Sequence, residues 1–161
     1  MSDKMRWRYG NTNPVMSAVD SATVIEIGDL LYHDTDDAKP ALIQKECGSE
    51  VNNQCLFAST FLGVAMQCSR AGDTDAIRVA ISGVFEFDCT RVGYELGDFV
   101  APDQSFTEEV KDGLCNQQVT KVDNKRCAIA RVSKRTPKGC ESVLVEICST
   151  IMRGGIAGTT F

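Results

Sequence analysis

The sequence is short of several things that functional chemistry usually needs. It has one histidine, one tryptophan and four prolines in 161 residues. The lone imidazole, His33, lies beside an acidic run with no Ser or Cys motif around it, which supports a nucleophilic triad poorly. GxSxG, HExxH and the P-loop pattern are absent, so no standard hydrolase or nucleotide template is met. No apolar stretch approaches the roughly 20 residues that cross a bilayer. The opening MSDKMRWRYGNT has no apolar signal core, so the expectation is a soluble protein made in the cytoplasm. Basic residues are not in excess: the net charge of −5 argues against a direct nucleic-acid partner and leaves a basic protein partner open. No enzyme activity, cofactor or membrane contact is expected.

Cysteine is the residue type in surplus. The eight stand at 47, 55, 68, 89, 115, 127, 140 and 148, and no two form a CxxC pair. Zinc sites announce themselves by such close spacing, so no metal site is expected. Several lie inside apolar runs (FDC, RCAIA, EICST), where cysteine acts as a small buried hydrophobe. Without a secretory signal, a disulfide framework is not expected, although a few could pair in a long-lived particle outside a cell.

With 43% hydrophobic and 24% charged residues, the chain reads as one globular domain with a real core. Residues 1–20 show neither helical nor strand periodicity. Arg6, Trp7, Arg8, Tyr9 and Pro14 there are what an extended arm docking on a partner carries; a frayed terminus or a first edge strand is the competing reading. From Ala22 onwards short strands alternate with Gly, Pro, Asp and Asn turns, over TVIEI, LLY, the segment begun by Pro40–Ile43, and FLGVAMQCS. The glycine inside FLGVAMQCS suggests a bulge or a close backbone approach. Residues 77–89, IRVAISGVFEFDC, alternate strictly on both sides of Ser82-Gly83, which predicts half-buried antiparallel strands. Further short strands follow in YELGDFVAPDQ, VTKVDN, RCAIARVSK and SVLVEICSTIM. Only 51–60, VNNQCLFAST, carries a helical spacing, through Leu56, Phe57, Thr60 and Phe61. The sum is an all-β, sandwich- or barrel-like domain over 21–152, with one short helix, an N-terminal arm over 1–20 and a flexible Gly-rich tail over 153–161.

The stretch VIEIGDLLYHDTDDAKPA holds the strongest candidates for chemistry. Asp34, Asp36 and Asp37 invite a calcium loop, but counting from Asp34 puts Lys39 where an EF-hand needs glycine and Lys45 where it needs a bidentate acid. A solvated hairpin tip is the better reading. EIGDLLY and ELGDFVA share one pattern, so Gly28-Asp29 and Gly97-Asp98 are expected to form two equivalent corners of one β structure. Lys121, Lys125, Arg126, Arg131, Lys134 and Arg135 are read as solvent faces of adjacent strands, a positive patch being the alternative.

Taken in order, EIGDLLY, FLGVA, RVAISGVFEFDC, GDFV and VLVEI, preceded by WRYGNTNPV, resemble the small capsid decoration (cement) proteins of tailed bacteriophages, from about Trp7 to Ile151. The resemblance implies a β-tulip or barrel-like fold without an active site. It also implies a homotrimer on the outer surface of the virion, bridging copies of the major capsid protein through the N-terminal arm. Another virion structural module, of the tail, head-completion or host-surface-binding type, is the alternative. An enzyme using His33 and a carboxylate is the third reading.

Overall fold

The break at Ser82-Gly83 divides the protein into two sheets. The computed structural model describes residues 3–104 and 113–156. Eleven strands run among them: β1 (Trp7–Tyr9), β2 (Val15–Ser17), β3 (Leu30–Asp34), β4 (Asp37–Pro40), β5 (Phe61–Ala65), β6 (Ile77–Ala80), β7 (Val84–Cys89), β8 (Phe99–Gln104), β9 (Leu114–Lys121), β10 (Ala130–Val132) and β11 (Ser142–Ile147). Helix α1 (Glu50–Ser59) and a single turn, α2 (Thr150–Arg153), complete the fold. The architecture is all-β, in one small domain.

The first sheet has the order β2-β6-β5-β3-β4 and the second β1-β7-β11-β10-β8-β9. Stripped of β1, the two are copies of one plan. In each unit the second strand of the chain pairs antiparallel with the third and the fourth, the fourth with the fifth, and the fifth with the first. The second sheet closes into a small barrel through a parallel contact of Asp88 and Cys89 on β7 with Gln118 and Val119 on β9. At the matching place in the first, a backbone bond of 2.9 Å runs from the Ala38 amide to the Ala18 carbonyl. Each unit has an apolar interior. Val19, Ile25, Leu31, Ala65 and Val79 fill the first. Phe85, Phe87, Tyr94, Val100 and Val145 belong to the second, whose cluster continues onto Leu30, Phe57, Phe61 and Val64. Full burial of Phe57 on α1 and of Phe61 on β5 contributes about 2 kcal/mol each, and the contact between their rings, 5.6 Å apart, fastens α1 to the sheets.

Local chemistry explains most elements. The Ser49 hydroxyl accepts the Asn52 amide (3.1 Å) to start α1, which runs over almost the residues its spacing predicts. The Asp34–Asp37 tip is a hairpin turn, with Lys39 paired to Asp34 at 2.6 Å. Gly63 in β5 is forced by a close approach: a Cβ there would sit 1.9 Å from the Ala80 carbonyl oxygen, and the β3–β5 register slips at Leu31/Tyr32 opposite it.

Residues 1–20 follow the edge-strand reading, since β1 pairs with β7 and β2 with β6 at the margins of the two sheets. Three other expectations change. Residues 41–43 form a 3-10 turn rather than an extended segment, since β4 ends at Pro40. In the expected tail, Gly154 and Gly155 close α2 with amides donated to Thr150 and Ser149; residues 157–161 lie outside the described residues. Cys55 and Cys127 form a disulfide between α1 and the 3-10 turn Lys125–Cys127, so not all the cysteines are reduced core residues. That turn and α1 occupy the same connection in the two units.

The Gly63→Ala variant is expected to lose about 3 kcal/mol of stability, because the obstruction is backbone and cannot swing away. Gly63 lies outside the left-handed region, so the close approach alone carries this cost; at Gly48→Ala, where an added methyl meets nothing, the cost comes from positive φ alone. Urea midpoints measure both, and a Gly63→Ala midpoint equal to wild type would refute the close-packing account.

Candidate functional site

The candidate site is built by residues 3–9. Their first part is clamped to the corner before β3: the Lys4 amide donates to the Ile27 carbonyl (2.9 Å), and the Ile27 amide donates to Asp3 Oδ1 (2.8 Å). Asp3 also pairs with Arg70, and these hydrogen bonds, the Ile27 amide first, hold its carboxyl below the usual range. Arg6 then turns inward and is only 3% exposed. Its Nε donates to Gln117 Oε1 (2.8 Å), and one terminal nitrogen donates to the Glu86 carbonyl (3.2 Å). The same guanidinium reaches both carboxylate oxygens of Asp88 at 3.3 and 3.4 Å and lies over the Phe87 ring. Gln117 passes the link on, donating from Nε2 to Asp29 Oδ1 (2.9 Å) and the Ile27 carbonyl (3.2 Å). One continuous polar network therefore joins the N-terminal segment, the first corner and strands β7 and β9.

Beyond Arg6 the chain emerges as β1, the outermost strand of the second sheet. Trp7 and Tyr9 are 40% and 52% exposed, with Met5 exposed just before them. Their backbone is fixed by pairing to Phe85 and Val84. The Trp7 indole donates to the Gly10 carbonyl (2.9 Å), and Arg8 Nε donates to Glu86 Oε1 (2.9 Å). Glu86 is also held by the Ser142 hydroxyl at 2.7 Å; that bond first, then Arg8, lowers its pKa. The result is an exposed aromatic strip on a rigid strand. Pro14 is exposed in the connection to β2, which Ser82 ties down through Asn13 (2.8 Å) and the Asn11 carbonyl (2.7 Å). Of the five residues proposed for docking, four are thus at the surface. Arg6 is not, and its role is to anchor the strip.

The two corners have the same backbone. Asp29 and Asp98 accept the amides of Glu26 and Glu95, both at 2.9 Å, and Gly28 and Gly97 both have positive φ. Their surroundings differ. A Cβ at Gly28 would lie 2.4 Å from the Lys4 carbonyl oxygen, whereas one at Gly97 meets nothing. Asp98 pairs with Lys121 at 3.3 Å in partial contact with solvent. Asp29 is 2% exposed, and burial pushes its carboxyl up to about 6 against the opposing bonds from Gln117 and the Glu26 amide.

The basic stretch is spread over separate elements: Arg131 stacks on Phe99, and Arg135 pairs with Glu95. His33 lines an open groove with Tyr32, Lys39 and Thr60, and its Nδ1 is buried without a hydrogen-bond partner. Among the described residues no group of three or more His, Cys, Asp or Glu is placed to hold a metal, and no helix is long and apolar enough to cross a membrane. Gln117 and Asp88 were missed in the sequence. The available signal was phase: Gln117 shares the inward side of β9 with Val119, where a polar residue needs a buried partner.

No family model matches this chain, and no curated protein matches it. Among solved structures it is similar to the N base of head fiber gp8.5 in bacteriophage phi29, with a TM-score of 0.45 and 13% identity over 83% of this chain and 93% of that one. Nothing about function follows from a match of that depth.

Asp29 carries a pH dependence of known sign. Its folded pKa is raised, so its contribution is intact below about pH 4 and is lost as pH rises through 6. The stability difference between wild type and Asp29→Asn is expected to move against wild type by up to about 3 kcal/mol from pH 4 to 7. Urea unfolding of both proteins across that range tests it, and a difference that does not vary with pH would exclude the assignment.

Proposed function

We propose that this protein is a structural component of a bacteriophage virion that decorates the outer surface of the head. It binds major capsid protein and stabilises the shell by bridging neighbouring subunits as a homotrimer. The supporting observation is the aromatic strip of β1, where Trp7 and Tyr9 stand exposed on a strand locked by a buried arginine. Aromatic side chains anchor interfaces best when they are held ready before binding, because less conformational freedom is then lost. The family resemblance supplies the partner. Docking here uses a fixed strip of the β body in place of a free arm.

Binding of such a protein to the assembled lattice, and not to separated subunits, stabilises the lattice by linkage. Three strips on one trimer add avidity, so a modest contact at each still gives a durable attachment. No catalytic step is required of any residue, His33 included.

Deleting residues 1–20 is unsuited as a test, since it removes two strands and Arg6. The double variant Trp7→Ala/Tyr9→Ala alters exposed side chains and is expected to stay folded while its affinity for capsids falls about 100-fold or more. Co-sedimentation with capsids measures this, with His33→Ala expected to bind like wild type. Unchanged binding by the double variant would remove β1 from the interface. Label found on the tail alone would reject the head assignment, and a native mass other than three chains would reject the trimer.

A further inference from the structure

Among the six free cysteines, Cys89 and Cys140 have sulfurs 3.8 Å apart. Cys89 is the last residue of β7, and Cys140 precedes β11 by two positions. The two chains are already aligned there: Asp88 faces Ser142 in the ladder, and the Cys89 amide donates to the Glu141 carbonyl at 3.1 Å. Paired strands place backbones about 5 Å apart, inside the range a disulfide spans. Cys89 is 7% exposed at the edge of the second barrel's interior, while Cys140 is half-buried. Cys140, the less buried residue, is open to a small reagent from solvent, and a cleft lined by Asp88, Cys89, Arg91, Gln118 and Glu141 reaches the Cys89 side of the pair.

We infer that Cys89 and Cys140 are an oxidisable pair that forms a second disulfide, closing the second β unit after the protein leaves a reducing compartment. The oxidant is a small-molecule disulfide of the glutathione class. Cys140, the less buried residue of the pair, attacks as thiolate, breaking the reagent's S–S bond and releasing one thiol. Cys89 then attacks the Cys140 sulfur of the mixed disulfide and releases the second thiol. The two protein thiols lose two protons and two electrons, and the reagent is reduced to two thiols. Burial first, with Cys140 adding to it, pushes the Cys89 thiol up to about 12, which is why the more exposed partner starts the exchange. Oxidation requires a shift of about 2 Å between the sulfurs. The inference stands on this geometry and is independent of the capsid reading.

The experiment treats the folded protein with oxidised glutathione, then counts thiols, measures intact mass and maps the linked peptides. The count is expected to fall from six to four, the mass to fall by two hydrogens, and Cys89 to be found joined to Cys140. The melting temperature is expected to rise on the order of 10 °C, reversibly with dithiothreitol, for a loop of this length. Cys140→Ser and, separately, Cys89→Ser are expected to lose that rise, while Cys47→Ser keeps it. Retention of six thiols, a lasting glutathione adduct on Cys140, or a cross-link elsewhere would overturn the proposal.

Discussion

The structure depends on a buried arginine that is bonded on every side. Arg6 enters between the two β units and finds acceptors on Gln117, on the Glu86 backbone and on Asp88. A guanidinium shielded from water costs several kcal/mol unless its donors are met and a counter-charge is near. Here the counter-charge, Asp88, is half in water, and Asp29 stands two bonds away through Gln117. The network therefore specifies geometry more than it adds stability. It places the N-terminal segment against the first corner and delivers the next residues to the edge of the second sheet.

Part of this was legible because local chemistry and tertiary structure agree. The repeated IGD and LGD turns need the same backbone wherever they stand, so both corners were visible, as were strands β6 and β7 on either side of Gly83. What the sequence hid depends on the other side of the contact. Strand β1 has all three residues exposed, so it shows no inward alternation and looks like an unstructured arm. Arg6 has the composition of a surface anchor, and only its distant partners bury it. The Cys55–Cys127 bridge joins residues 72 positions apart, a pairing that spacing does not encode.

The doubling of the fold gives β1 a particular meaning. Strands β2–β6 and β7–β11 repeat one pattern of pairing, and β1 belongs to neither copy. It is an addition on the edge of β7, where it covers backbone groups that would otherwise be open to another chain. The side chains it presents outward are the aromatic ones. A strand that protects an edge thus also carries the surface on which the proposed function rests.

The Cys55–Cys127 bridge connects the same linker of both copies, α1 in one and the 3-10 turn in the other. Its consequence is mechanical. A force applied through the two ends of the chain passes across the sulfur atoms and bypasses the residues between them, which include β5 to β9. At about 3.5 Å per extended residue, some 250 Å of chain is withheld from stretching. A chain pulled from its two ends can lose its outer strands under load and still keep the last two strands of the first unit and the first three of the second from being drawn out.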